Sequence, residues 1–220
     1  MKIKLNHLQT TKTARYYTLG SLSTAKEIWL VLHGYGQLAE EFIQNFKWIQ
    51  HKDRYIVAPE GLSRFYLKGG KGKAVASWMT KEDRENEIND YRIYLDNLLK
   101  TLIANLKNKP DIIILGFSQG AATAMRFNLS TKRKIKQLIL WSGSLAYDIN
   151  WNKAVKLFNE KTTLTIVGGM EDNILPESLI QLEKESLQKK DIPFKYLQHP
   201  GKHEIHAGAL AKIIMQNENL

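Results

Sequence analysis

Short β-branched runs alternate with longer stretches in which apolar residues recur every three to four positions along most of this 220-residue chain. The short runs predict strands at Lys2–Gln9, Arg15–Leu19, Ile28–His33, Tyr55–Ala58, Ile112–Gly116, Gln137–Trp141, Leu164–Gly168 and Phe194–His199. The periodic stretches predict helices at Leu38–Gln50, Lys81–Leu106, Ala121–Leu129, Glu177–Lys189 and near His206–Gln216. The first two strands alternate polar and apolar, as an antiparallel edge hairpin does. The later strands are more continuously apolar and are separated by helices. That predicts an α/β fold with a mostly parallel, twisted central sheet and helices on both faces. The length suits a single domain over residues 1–220. One stretch fits neither period. Glu60 to Thr80 carries Gly61, Gly69, Gly70 and Gly72 among basic and aromatic residues, and reads as a long functional loop.

Composition narrows the chemistry. The chain has no cysteine, which excludes disulfides, thiolate catalysis, iron–sulfur clusters and Cys-based zinc sites. It is 43% hydrophobic and 25% charged, ordinary for a globular enzyme and unlike a disordered chain. The net charge of +10 is spread over the whole length; only Lys132-Arg133-Lys134 with Lys136 forms a tight cluster. The charge therefore reads as a solvated lysine-rich surface, and no recognised motif or basic stripe points to nucleic acid. Met1-Lys2-Ile3-Lys4-Leu5-Asn6-His7 lacks the apolar core of a secretory signal. No apolar run approaches the ~20 residues of a membrane helix. A cytoplasmic protein that does not engage membranes is expected.

The sharpest feature is Gly116-Phe117-Ser118-Gln119-Gly120, placed between the strand Asp111–Leu115 and the Ala-rich helix that begins at Ala121. This is G-x-S-x-G at a strand-to-helix turn. Glycines are needed where strand and helix nearly touch. The serine hydroxyl then projects at the tip, above a helix N-terminus that favours developing negative charge. Ser118 is the candidate nucleophile.

A serine hydroxyl needs a base, and the base needs an orienting carboxylate. Asp148, Asp172 and Asp191, and His199, His203 and His206, follow Ser118. Reacting groups sit beyond the carboxyl ends of parallel strands. Asp172 follows the strand Leu164–Gly168 on that edge, with Asp148 the alternative. His203 follows the last strand across Pro200-Gly201-Lys202, with His206 the alternative. The histidine spacing lacks an H-E-x-x-H pattern, so no metal is expected. Two backbone amides must receive the oxyanion. One is that of Gln119. The other comes from the loop His33-Gly34-Tyr35-Gly36-Gln37, where His33 reads as a structural hydrogen bonder.

At these residues the chain resembles the phospholipase/carboxylesterase family of α/β-hydrolases. The matching pieces are Leu32-His33-Gly34-Tyr35-Gly36, Ala58-Pro59-Glu60-Gly61, Ser77-Trp78, Gly116–Gly120, Ser142-Gly143, Gly169–Pro176 and Gly201–Ile205, in the family's order from residue 28 onward. The resemblance implies an α/β-hydrolase fold and a triad of Ser118, Asp172 and His203. It implies oxyanion donors at the amides of Tyr35 and Gln119, and an acyl-pocket aromatic at Trp78. It implies hydrolysis of an ester or thioester without a cofactor, and a homodimer is common in the family. The segment Leu62–Ala76 is longer and more basic than the family pattern.

No long insertion separates the strand ending near Trp141 from that beginning near Leu164, so a minimal lid or none is expected, with an open site for small or exposed acyl substrates. Trp78, Phe117, Trp141 and Leu175 are the leading pocket candidates, with Phe65, Tyr66 and Leu145 beside them. Arg64, Lys68, Lys71 and Lys73 would favour an acidic substrate group. The main reading is a serine carboxylesterase acting through an acyl-enzyme. The rivals are an amidase or peptidase on the same triad, and a non-catalytic binding protein on the same scaffold.

Overall fold

The structure, a computed structural model, describes residues 2–218. Its strands in chain order are β1 (Tyr16–Leu19), β2 (Glu27–Leu32), β3 (Arg54–Pro59), β4 (Ser63–Lys68), β5 (Lys71–Ser77), β6 (Asp111–Phe117), β7 (Gln137–Trp141), β8 (Thr163–Gly169) and β9 (Lys195–His199). The α-helices are α1 (Ala39–Phe42), α2 (Arg84–Ile103), α3 (Gln119–Ser130), α4 (Trp151–Glu160), α5 (Glu177–Gln188) and α6 (Ala207–Glu218). Seven strands form one sheet in the order β1-β3-β2-β6-β7-β8-β9, parallel throughout except for β1.

The near-continuous apolar strands are explained by burial on both faces. Successive side chains of a strand point to opposite sides. Ile28, Leu30, Leu32, Ile112, Ile114, Leu138, Leu140, Leu164 and Ile166 enter one core with α2 and α3. Their neighbours Trp29, Val31, Ile113, Leu115, Ile139, Trp141 and Val167 enter a second core with α1 and α6. Each fully buried aliphatic side chain contributes ~1.5–3 kcal/mol, so the two layers hold the sheet rigidly enough to support loops at its carboxyl edge. On α2, Ile88, Tyr91, Leu95, Leu98, Leu99 and Leu102 form the buried stripe that its periodicity predicts.

Three expectations are corrected, and one helix is added. Lys2–Gln9 is not a strand: it has no regular structure and its apolar positions are bare, Ile3 being 98% exposed. Alternation cannot form a strand without a partner and a core to cover. The edge hairpin is therefore absent, and β1 instead lies antiparallel to β3. The long helix at Leu38–Gln50 is a single α-turn, α1, followed by a 3₁₀ stretch at Ile43–Ile49. There Ile43, Phe46 and Ile49 are buried at a spacing of three, the 3₁₀ period. The supposed loop Glu60–Thr80 is mostly the antiparallel hairpin β4–β5, turned by Gly69 and Gly70 at φ 44° and 80°. A two-residue turn with both residues at positive φ matches the twist of a hairpin, and glycine reaches it without strain. Finally, 151–160 is the helix α4, whose Ala154 and Phe158 are buried in the first core. It packs on the sheet as a crossover and does not cover its carboxyl edge.

Candidate active site

The turn after β6 is built by two close approaches. A Cβ on Gly116 would lie 2.1 Å from the carbonyl oxygen of Gly120, and one on Gly120 would lie 2.3 Å from that of Leu32. Only glycine fits either place. Between them Ser118 adopts φ 54°, ψ −119°, a conformation that costs roughly 1–3 kcal/mol in a non-glycine residue. Its amide donates to the Trp141 carbonyl at 2.9 Å. Although Ser118 precedes the first turn of α3, its side chain makes no capping hydrogen bond.

Asp172 and His203 meet from two loops stitched together at the ends of β8 and β9. The amides of Met170 and Glu171 donate to the carbonyls of His199 and Gly201 at 2.8 and 3.2 Å. A Cβ on Gly169 would lie 2.5 Å from the carbonyl oxygens of both Gly201 and Lys202. Trp141 Nε1 donates to the Glu204 carbonyl at 2.8 Å, which anchors the far side of the His203 loop. Asp172 Oδ2 lies 2.8 Å from His203 Nδ1. Its Oδ1 accepts from the amides of Ile174 and Leu175, both at 2.9 Å. Burial pushes the Asp172 carboxyl up, but the Leu175 amide, the His203 ring and the Ile174 amide outweigh it and hold it below the usual carboxylate range. An ionised carboxylate only accepts, so Nδ1 carries the proton and Nε2 of the neutral ring is an acceptor. The His203 ring packs on Phe117, next to Ser118, with centroids 4.8 Å apart.

The loop 33–37 is fixed from below. The Gly61 amide donates to His33 Nε2 at 3.0 Å, so His33 Nδ1 is the protonated nitrogen and donates to the Gly34 carbonyl at 2.7 Å. Burial lowers the pKa of His33 and keeps it neutral. This is the structural role expected for it. Within the turn, the Gly34 amide donates to Gln37 Oε1 at 2.7 Å and the Gly36 amide to the Ala76 carbonyl at 2.9 Å. The hairpin therefore braces this loop. Among the described residues no acceptor takes the amides of Tyr35 or Gln119.

The alternatives are engaged elsewhere. Asp148 accepts from Arg84 Nη2 at 2.6 Å and Arg126 Nε at 2.9 Å. His206 stacks on His199 with centroids 5.0 Å apart and accepts the Ala209 amide at the start of α6. Of the four leading pocket candidates, Trp78 and Trp141 are core residues with 1% and 0% exposure, and Phe117 and Leu175 are buried at 4% and 5%. Trp78 Nε1 donates to the His33 carbonyl at 2.8 Å. The exposed apolar groups around the site are others. Tyr35 packs on Phe65 of β4, and Leu67 lies over Gly36. Met170 and Ile174, flanking Asp172, are exposed. Sequence reasoning missed Leu67, Met170 and Ile174 as exposed apolar groups; Met170 and Ile174 lie within the segment Gly169–Pro176, and Leu67 directly follows Phe65 and Tyr66. Of the four hairpin cations, Arg64 is paired with Glu60 and Lys73 with Glu41. Also unforeseen is the Gln119 side chain, which accepts the Trp78 amide at 3.0 Å and donates to the Met79 carbonyl at 2.8 Å, tying α3 to the end of β5.

No cluster of metal-ligating side chains occurs among the described residues. No helix there is long and apolar enough to cross a membrane.

A mostly parallel seven-stranded sheet with a strained serine between its central strand and the following helix is the architecture of the α/β-hydrolases. Comparison with known proteins makes the assignment more specific. A family model described as phospholipase/carboxylesterase matches residues 21–215, and the chain belongs to that family. It is thus an enzyme of the esterase and thioesterase type of hydrolase. Among solved structures, a carboxylesterase from Mesorhizobium loti superposes with a TM-score of 0.71 at 17% identity, over 94% of this chain and 95% of that one. The esterase PE8 does so at 0.68 and 24% identity, over 95% and 100%. Acyl-protein thioesterase 2 of Zea mays gives 0.68 and 16%, over 94% and 99%. At these identities the superpositions speak to the fold.

Proposed function

We propose that this single α/β-hydrolase domain is a serine carboxylesterase that works through a covalent acyl-enzyme, with Ser118 as nucleophile, His203 as base and Asp172 as the carboxylate that orients it. The observation that carries the reading is the Asp172–His203 hydrogen bond of 2.8 Å beside a serine held at φ 54°. Ser118 Oγ attacks the ester carbonyl and passes its proton to His203 Nε2. The amides of Tyr35 and Gln119 donate to the oxyanion, each worth roughly 3 kcal/mol in the transition state. His203 then protonates the leaving alcohol. Water, deprotonated by the same nitrogen, resolves the acyl-enzyme and returns Ser118. Asp172 stays ionised and stabilises the imidazolium that forms twice in the cycle. No cofactor is required.

The substrate is a small or exposed acyl ester, or a thioester of the same shape. Two observations support this. The β7–β8 crossover helix α4 packs into the core and is not a lid. The rim of Tyr35, Leu67, Met170 and Ile174 is apolar and open to solvent. A p-nitrophenyl ester series from acetate to palmitate tests the reading. Hydrolysis should peak at short chains and vanish in Ser118→Ala. A peak at long chains would contradict the small-substrate reading, and equal rates in the variant would contradict the mechanism.

A further inference from the structure

The basic cluster Lys132-Arg133-Lys134 with Lys136 takes no part in the site above. It lies at the other end of the sheet, where Asp111, Gln137 and Thr163 begin β6, β7 and β8. Ser118 follows the far end of the seven-residue β6, and six steps of ~3.3 Å separate the two ends of that strand by about 20 Å. The cluster forms one wall of a concavity of about 1460 Å³ between the end of α2 and the segment after α3.

The charge inside this cleft is one-sided. The four clustered cations are joined by Arg92 of α2, Lys109 and Lys161, against two carboxylates, Asp96 and Asp111. Arg133 pairs with Asp96 at 3.3 Å and Lys136 with Asp111 at 2.7 Å. Among the described residues the other five cations have no carboxylate partner, and the Arg92 Nε is buried without a hydrogen-bond acceptor. The C-termini of α2 and α3 border the cleft, since Ile103 and Ser130 line it. Each brings roughly half a negative charge, about one in all, which leaves most of the positive charge unopposed. Concave walls of low polarity, here Ile103, Ile112 and Phe127, focus such a field.

We propose that this cleft binds a small soluble polyanion carrying two or more phosphate groups, remote from Ser118. Arginine offers a planar fork to phosphate oxygens and lysine a mobile point charge, and the lining of the cleft supplies both. The cations converge into a hollow. A membrane surface would instead call for a flat or convex cationic face, and a nucleic acid for a running stripe.

Sodium tripolyphosphate, titrated at constant ionic strength, is the probe, read by amide resonances in two-dimensional NMR. Saturable shifts are expected at Lys109, Asp111 and residues 130–136, and none at 116–120. The double variant Lys132→Glu/Lys134→Glu changes two exposed side chains. It should weaken binding at least tenfold and leave ester hydrolysis and the melting temperature unchanged. Lys109→Glu/Lys161→Glu, in the segments leading into β6 and β8, should give the same loss, which guards against misfolding of the first variant. Unchanged affinity in both variants would overturn the proposal. So would equal, unsaturating shifts with sulfate. Co-sedimentation with phosphatidylserine vesicles without tripolyphosphate binding would make this a membrane-facing surface instead, and would equally overturn it.

Discussion

Glu60 is a buried carboxylate that four donors share, and replacing it with glutamine should cost the fold measurably. The side chain is 1% exposed. It accepts from Arg15 Nε and Nη2 at 2.7 and 3.1 Å, from Arg64 Nε at 2.8 Å and from the Ala39 amide at 3.3 Å. It thereby joins the residue before β1, strand β4 and the start of α1 just behind the loop 33–37. Hydrogen bonds to a charged group contribute ~1.5–3 kcal/mol each. Arg15 and Arg64 are 43% and 44% exposed, so water regains part of what Glu60→Gln releases. Halving the sum of the three guanidinium bonds for that screening leaves a loss of ~3 kcal/mol. For a chain of this size that is a drop in melting temperature of roughly 6–12 °C, readable by circular dichroism at neutral pH. The pH dependence adds a second handle. Burial pushes the Glu60 carboxyl up, but the bonds from Arg15, the Ala39 amide and Arg64 outweigh it and hold it below the ordinary range. A carboxyl whose folded value is depressed gives its full stabilisation above the unfolded value of about 4.3, and loses it as pH falls through the folded value. The gap between wild type and variant should therefore hold from neutral pH to about pH 5 and close below about pH 4. Indistinguishable melting temperatures at neutral pH, or a gap that does not close in acid, would show that the ionised Glu60 carboxylate does not stabilise the fold.

Two further substitutions probe the site and its support. Asp172→Asn keeps the shape but removes the charge that fixes the His203 tautomer, so kcat should fall about 10³–10⁴-fold with KM little changed, and steady-state kinetics showing near-normal kcat would remove Asp172 from the mechanism. Gly120→Ala forces a methyl to within 2.3 Å of the Leu32 carbonyl oxygen, and thermal melting should show a loss of ~3 kcal/mol or failure to fold, whereas an unchanged melting temperature would show that α3 can back away from β2.

The central strands were legible because burial on both faces leaves a direct mark, a run of apolar residues bounded by turns. β7 spans Gln137–Trp141 as its pattern predicts. Gly116 and Gly120 were legible because each close approach admits one residue type. The N-terminal alternation at Lys2–Gln9 misled, since a period of two describes any extended chain and says nothing about whether a partner lies beside it. The hairpin β4–β5 was hidden by its glycines, which suit a turn and a loop alike. Trp78 and Trp141 show a further limit. Aromatic residues next to a reacting group serve as well to anchor the loops that carry it, and only the hydrogen bonds to the His33 and Glu204 carbonyls distinguish the two uses. The cationic cleft could not be read as a hollow, because its walls come from segments far apart in the chain.

If Ser118 carries the acyl group, a covalent adduct must form on it during turnover. Intact-protein mass spectrometry during the first turnovers with p-nitrophenyl butyrate, followed by peptide mapping, tests it most directly. One butyryl adduct per chain is expected, located on Ser118 and absent from Ser118→Ala, appearing with the first equivalent of p-nitrophenol and decaying as hydrolysis proceeds. An adduct on another residue, or wild-type p-nitrophenol release by Ser118→Ala, would contradict it.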